Sequence, residues 1–242
     1  MNRIAVIPAR LKSTRLANKV LKPISGKPLL WYTWQRAQKA HSLDKVIIAA
    51  CDEEVKKAAL AFGAEVYMTD PEHTSGTDRI AEVASGIEAD IILNIQADEP
   101  LIKSETLDKL SNLLNNNPKE VMASLAFSTT NTRDLSDQNA VKVVVDNQNN
   151  ALYFSRSLIP NNREDTSGVK YMKHIGIYAY RRDFLLKFSQ WQPGSLEQVE
   201  KLEQLRVLEN GMRIKIMEID YDTIGVDTQE DFKRVEEVLK SE

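Results

Sequence analysis

Six residues able to grip phosphate fall within ten positions of one another: Arg10, Lys12, Ser13, Thr14, Arg15 and Lys19. Guanidinium, ammonium and hydroxyl donors at this density, together with turn amides, suit a polyphosphate. The segment is neither a GxxxxGK[ST] loop nor a GxGxxG fingerprint. A solvated basic turn is the bland alternative, but its position directly after an apolar run, Ile4 to Pro8, favours phosphate binding. Two further loops also follow apolar runs. Asn94-Ile-Gln-Ala-Asp-Glu-Pro100 carries Asp98 and Glu99, and Gly225-Val-Asp-Thr228 carries Asp227. Carboxylates at such places suit Mg²⁺, a hard cation that takes one or two protein oxygens and completes its shell with water and phosphate. In Thr228-Gln-Glu-Asp231 the spacing is that of a capping box, which leaves Asp227 available; Asp227 serving as the cap itself is the competing reading. Ser75-Gly-Thr-Asp-Arg79 is a second capping-box candidate, whose glycine would let a flat ligand approach the backbone.

Composition narrows the chemistry. The chain has 242 residues, one cysteine (Cys51) and three scattered histidines (His41, His73, His174), so an intrachain disulfide or a thiolate zinc cluster is excluded. No signal-like segment or membrane-length apolar run occurs, and a cytoplasmic protein without a membrane partner is expected. The net charge of −3 hides a division: nine of the 32 basic residues and none of the 35 acidic ones precede Asp44. An anionic ligand near the N-terminal segment follows from that asymmetry. Nucleic acid is not the expected partner, because Trp31, Tyr32 and Trp34 belong to a following helix and do not interleave with the basic residues.

The elements that must position these loops alternate. Strands are expected at 3–8, 45–50, 65–68 and 90–95, and helices at 29–40, 53–62, 76–87 and 104–115, the last capped by Ser104. Near-continuous apolar strands separated by helices predict a parallel sheet covered on both faces. From about 117 to 190 the rhythm changes to strands at 121–127, 141–146, 151–155 and 174–180, an antiparallel portion suited to a substrate flap or dimer contact. A helix at 196–209, a strand at 213–219 and a helix at 229–240 restore the pattern, and one domain over 1–242 is the simplest organisation. On the 196–209 helix, Glu203 and Arg206 fall within an arc of leucines centred on Leu202, so either they pair with each other or they meet a polar ligand. His174 and Tyr178 put polar tips on a strand, where a satisfied core histidine is the ordinary reading.

Taken in order, Ile7-Pro-Ala-Arg-x-x-Ser-Thr-Arg15, Lys19, Gly26-Lys-Pro28, His73-x-Ser-Gly-Thr-Asp-Arg79, Asn94-Ile-Gln-x-Asp-Glu-Pro100, Asn139-Ala-Val-Lys142, Ala151-Leu-Tyr-Phe-Ser-Arg156, Ile159-Pro160, His174-Ile-Gly-Ile-Tyr178, Leu202-Glu-Gln-Leu-Arg206 and Gly225-Val-Asp-Thr228 closely resemble the 3-deoxy-manno-octulosonate cytidylyltransferases, or CMP-Kdo synthetases, of lipopolysaccharide synthesis. The resemblance implies a three-layer, Rossmann-like α/β nucleotidyltransferase fold with an elaborated middle segment, acting as a homodimer. It implies CTP and Kdo as substrates, CMP-Kdo and pyrophosphate as products, and Mg²⁺ as cofactor. By motif match, Arg10, Arg15 and Lys19 would hold the triphosphate, with Asp98 and Asp227 on the metal. Pro8, Ala9, Ser13, Ser75, Arg79 and Gln96 would frame the nucleotide. Gln96, Arg156, His174, Tyr178, Glu203 and Gln204 would meet the sugar acid, Arg156 through its carboxylate. The alternatives are the same chemistry on a related acid such as 8-amino-Kdo, or a nucleotide-binding protein without turnover. Three departures stand out. Ala17-Asn18 and Val20 replace the usual Pro-Gly and Pro around the loop lysine, Ala97 replaces a glycine, and 161–173 is shorter than in many members.

Overall fold

Strand β1 (Arg3–Ala9) shows why the sheet is covered on both faces. Its Ala5 and Ile7 join one apolar cluster, and Ile4 and Val6 join another on the opposite side. In a computed structural model describing residues 1–12, 16–131, 136–164 and 166–241, β1 lies at the middle of a nine-stranded sheet. It pairs in parallel with β4 (Lys45–Ala50) and β6 (Ile91–Asn94), and β4 pairs in parallel with β5 (Glu65–Met68). The first cluster packs against α1 (Leu29–Gln38), α2 (Glu53–Ala61) and α4 (Ser104–Asn116) through residues such as Leu30, Val55 and Leu107. On the other side, α3 (Gly76–Ser85) supplies Ile80, Val83 and Ala84. Each such aliphatic side chain contributes roughly 1.5–3 kcal/mol when fully buried, and this is what holds the three layers together. The expected α/β architecture is the one that forms.

The middle of the chain is antiparallel, as expected. Strand β10 (Tyr171–Arg181) inserts between β6 and β7 (Met122–Thr129), antiparallel to both. Strands β8 (Lys142–Val145) and β9 (Ala151–Ser155) extend it, and β11 (Lys215–Ile219) closes the edge in parallel with β7. The full order is β11-β7-β10-β6-β1-β4-β5. Between Ile175 and Tyr178 the β10 register shifts against β7, leaving Gly176 and Ile177 without partners there.

Four local expectations are corrected. Between β1 and α1, where no strand was expected, β2 (Pro23–Ile24) and β3 (Lys27–Pro28) pair across Ser25 and Gly26, both with positive φ, as a two-residue hairpin turn requires. The expected helix at 196–209 is two helices. Helix α6 (Ser195–Glu200) ends at Lys201, whose φ of 55° is left-handed, and α7 (Gln204–Glu209) starts afresh. The break leaves Leu196 and Val199 exposed instead of in the core. A helix not expected, α5 (Arg182–Phe188), follows β10 without a breaker residue. Ser104 is not the cap of α4: Lys103 occupies that position, and the Ser104 hydroxyl donates instead to the Arg36 carbonyl at 2.8 Å, tying α4 to α1.

A third apolar cluster joins the two ends of the chain. Leu16, Ile24 and Leu29 pack on Val226, Phe232 and Val235, the last two from α8 (Gln229–Ser241). This brings the segment after β1 against the loop that carries Asp227.

Candidate active site

The carboxyl ends of β1, β4 and β6 converge on the same edge of the sheet, where ligands of open α/β sheets bind. Two pockets lie there. The smaller, about 110 Å³, is lined by Pro8, Ala9, Arg10, Ser75, Gly76, Arg79 and Gln96. Every one of these comes from the loops that sequence reasoning assigned to the nucleotide. Ser75 caps α3, accepting from the Asp78 amide at 3.0 Å, which is the cap half of the expected box, and it also lines the pocket. Gly76 is close-packed: a Cβ there would meet Pro8 Cγ at 3.6 Å. Arg79 is only 2% exposed, and its guanidinium donates to the Thr69 hydroxyl and the Asp70 carbonyl. It builds the pocket wall from behind, while Arg10 stands exposed at the mouth. Ser13 and Arg15, also expected here, lie outside the described residues.

Lys19 sits among the proposed metal ligands. Its Nζ lies 2.5 Å from Asp98 Oδ2, 3.0 Å from Asp227 Oδ1 and 3.0 Å from the Val226 carbonyl. Burial would lower the Lys19 pKa, but Asp98 and Asp227 outweigh it and hold the ammonium above its usual value. Two carboxylates from loops 129 positions apart thus converge on one cation. Asp227 is not needed as the cap, because the Thr228 hydroxyl accepts from the Asp231 amide at 3.1 Å while the Asp231 carboxylate accepts from the Thr228 amide at 3.0 Å. The competing reading, Asp227 as cap, is thereby set aside.

The departures around Lys19 have physical explanations. Asn18 has φ 53°, the left-handed region where glycine is favoured and asparagine is the best-tolerated alternative. Val20 is buried in the first apolar cluster. Ala97 is buried too, and its carbonyl accepts from Thr33 at 3.1 Å.

The larger cavity, about 480 Å³, is lined among others by His174, Gly176, Tyr178, Leu202, Gln204 and Asp227. Gln96 connects it to the small pocket: its Cγ is 4.0 Å from where a Gly176 Cβ would stand, and its Oε1 is 3.9 Å from the equivalent point on Gly76. The Gln96 amide is aimed by Asn94, which accepts from it at 2.9 Å. His174 is buried, and burial drives its pKa down to about 3, so the ring is neutral. Ser124 Oγ lies 2.9 Å from both His174 Nε2 and the Ile177 carbonyl; placing its one proton on the carbonyl assigns the ring hydrogen to Nε2 and leaves Nδ1 an acceptor. The Tyr178 phenol is pushed strongly up by burial and by Glu203, and stays protonated.

Arg156 and Glu203 are turned elsewhere. The Arg156 guanidinium donates to the carbonyls of Glu200 (2.8 Å), Gln138 (3.0 Å) and Lys201 (3.3 Å), and it is not part of the cavity lining. Glu203 does not pair with Arg206. Its Oε2 accepts from the Thr77 hydroxyl at 2.5 Å, and burial raises its pKa while the Thr77 and Ser75 hydroxyls oppose that rise. Arg206 instead meets Glu197 through two 2.6 Å bonds, because the break at Lys201 rotates α7 relative to α6.

Glu99, the second carboxylate of its loop, and two lysines complete the surroundings of the cavity. Glu99 is held by burial, then by Asp98, at a pKa of about 8, and its Oε2 is buried without a hydrogen-bond partner. A Cβ on Gly225 would come within 3.0 Å of its other oxygen. Lys173, beside it, donates to Asp222 at 2.7 Å and to the Thr223 carbonyl at 3.2 Å. Lys142, 1% exposed, donates to the carbonyls of Asp137, Ala140 and Arg156, and so shapes the loop that contributes Asp137, Asn139 and Ala140 to the cavity. An apolar-run lysine such as Lys142 was the available signal, since a buried ammonium requires acceptors.

The donor set fits Mg²⁺. No group of three or more His, Cys, Asp or Glu side chains gathers in a metal-holding arrangement among the described residues, whereas two carboxylates already share one cation. That is the partial shell a magnesium ion takes from protein when substrate phosphates supply the remainder.

Comparison with known proteins identifies the family and the fold. The cytidylyltransferase family model matches residues 4–214. A 3-deoxy-manno-octulosonate cytidylyltransferase of Solibacter usitatus is 48% identical over 238 residues, 98% of this chain and 94% of that protein. The protein of the same name from Geobacter sulfurreducens is 44% identical over 250 residues, 99% of this chain and 100% of its own. A solved structure of CMP:2-keto-3-deoxy-manno-octonic acid synthetase complexed with CTP superposes with a TM-score of 0.94 at 39% identity, covering 100% of this chain and 99% of the other. A cytidylyltransferase from Leptospira borgpetersenii, at 17% identity and a TM-score of 0.68, shares the fold.

Proposed function

This chain belongs to the cytidylyltransferase family, among its 3-deoxy-manno-octulosonate cytidylyltransferases, and from that membership we infer how its two pockets divide one reaction. The protein transfers CMP from CTP to the anomeric 2-hydroxyl of Kdo. The hydroxyl oxygen bonds to the α-phosphorus, the bond from that phosphorus to the bridging oxygen breaks, pyrophosphate departs and the hydroxyl proton is lost. Chemistry of this kind asks for alignment and charge neutralisation more than for covalent participation.

The small pocket, framed by Pro8, Ala9, Ser75 and Gly76, takes the cytidine, and Arg10 at its mouth takes phosphate. The larger cavity takes the sugar acid, with Gln96 at the boundary and His174, Tyr178 and Gln204 on its wall. The neutral His174 can accept from a sugar hydroxyl through Nδ1, and Tyr178 can donate. Asp98 and Asp227 would hold Mg²⁺, which supplies neutralisation of the phosphate charge and a lower pKa for the attacking hydroxyl. Lys19, now between those carboxylates, is close enough to exchange one anionic partner for another. Arg156 contributes by fixing the turn at 200–201, and a role on the sugar carboxylate would require it to leave three carbonyls. A homodimer joined through the 117–190 segment, working in the cytoplasm, completes the reading. No helix among the described residues is long and apolar enough to cross a membrane.

The observation that carries the metal assignment is the convergence of Asp98 and Asp227 on Lys19. Pyrophosphate release should need CTP, Kdo and Mg²⁺ together, and EDTA should abolish it. Asp98→Asn should lower kcat at least about 100-fold while the protein stays folded, in line with losses on disturbing metal shells. Full turnover in a folded Asp98→Asn protein would overturn the metal assignment.

A further inference from the structure

Glu203 is part of neither pocket's lining, and its carboxylate is bonded to the loop of the smaller one, to which motif matching did not assign it. Its neighbours Leu202 and Gln204 line the larger cavity, but Glu203 is not part of that lining. Its carboxylate instead receives the Thr77 hydroxyl at 2.5 Å and is also hydrogen-bonded by Ser75. Thr77 lies in the first turn of α3, directly after Ser75 and Gly76, which line the small pocket. One carboxylate therefore ties the start of α7 to the loop that frames the base.

The segment bearing Glu203 is held firmly from behind. Arg206 and Glu197 lock α7 to α6 through two 2.6 Å bonds, and Arg156 grips the carbonyls of Glu200 and Lys201. Residues 202–204 are thus bracketed on both sides by anchored positions. A displacement of Ser75–Thr77 around a base would reach Leu202 and Gln204 through the Thr77–Glu203 bond, and the reverse displacement would reach the base.

We propose that Glu203 is a positioning residue that couples nucleotide binding to sugar-acid binding through the Thr77 hydroxyl. The proposal rests on the function inferred above. When one substrate orders its side of this link, the second meets a side already ordered, so each tightens the other by the same factor.

The test is calorimetric titration with α,β-methylene-CTP, which cannot be cleaved at the α,β bond, in the presence of Mg²⁺, with and without saturating Kdo. The wild-type nucleotide Kd should fall at least about fivefold when Kdo is present, the lower end of ordinary coupling. Thr77→Val, which keeps the shape and loses the hydroxyl, should reduce that factor to within about twofold of unity, and Thr77→Ser should restore it. Thr77→Ala gives the same reading should the valine variant fail to fold, with circular dichroism certifying each protein. The proposal is overturned by a wild type without coupling, by hydroxyl-free variants that keep the full factor, or by variants that weaken Kdo binding equally with and without nucleotide. Wild-type pyrophosphate release run alongside separates the two levels: no turnover refutes the function itself, whereas turnover with an unchanged factor in Thr77→Val refutes only the link.

Discussion

Neutral His174 places a measurable pH dependence on the stability of the fold. In the unfolded chain its imidazole titrates near 6.5, but in the folded protein burial lowers that to about 3. Between these values the unfolded state binds the proton and the native state does not, so stability is fully present above 6.5 and is lost as pH falls toward 3. At pH 5 the ratio of the two binding polynomials corresponds to about 2 kcal/mol, against less than about 0.1 kcal/mol at pH 7.5. His174→Gln keeps an amide nitrogen near the Nε2 position, able to donate to Ser124, and removes the titrating group. Urea denaturation of both proteins at pH 7.5 and 5.0 isolates the His174 contribution, because all other titrations cancel in the comparison. The wild type should lose about 2 kcal/mol more than the variant on going to pH 5. A nitrogen-edited NMR titration should also show the Nε2-H tautomer persisting below pH 5. Equal pH dependence in the two proteins, or an imidazole titrating near 6.5, would refute the argument that burial holds the ring neutral beside Ser124.

Glu99 works in the opposite direction. Its carboxyl, raised to about 8 by burial, favours folding below pH 4.5, and that contribution is lost as pH rises through 8. In metal-free buffer Glu99→Gln should remove about 3 kcal/mol of stability loss between pH 5 and 7.5, seen as a flatter urea profile. Arg206→Met should destabilise by about 3–5 kcal/mol, since it strands the Glu197 carboxylate, only 10% exposed, without its partner. Thermal melts check this, and Glu197→Gln in the same background should recover part of the loss. Asn18→Gly should leave kcat/KM within about twofold, whereas Asn18→Val should cost about 1–2 kcal/mol for forcing a β-branched residue into the left-handed region.

What was legible in the sequence was what local spacing determines. The caps at Ser75 and Thr228 follow from three-residue offsets; the Thr228–Asp231 box closes in both directions, and at Ser75 the cap bond forms. The apolar strands and the change to antiparallel pairing after residue 117 followed from periodicity. The break at Lys201 was not legible, because a lysine in the left-handed region bears no sequence signal and is tied there by Arg156, which donates to its carbonyl. From that one residue came the wrong partner for Arg206, since two helices present different faces from one. Helix α5 was hidden by Tyr180-Arg181, which continue the strand pattern into Arg182 without a cap residue. The site's loops were found from charge and position, but Lys173 and Thr77 serve it through contacts between distant segments, which no spacing within a loop encodes.

The register shift in β10 carries a rule for changes of length. Gly176 and Ile177 oppose no residue of β7, and the Ser124 hydroxyl meets the carbonyls of Ile175 and Ile177 there. Side chains alternate along a strand, so losing one of the two residues would turn His174 and Tyr178 to opposite faces of the sheet. Losing both would keep them on one face and restore a regular ladder, only bringing them closer together. Insertions and deletions at this point are therefore constrained to even numbers. A protein of this kind can deepen or flatten the cavity floor in two-residue steps while the strands on either side remain where they are.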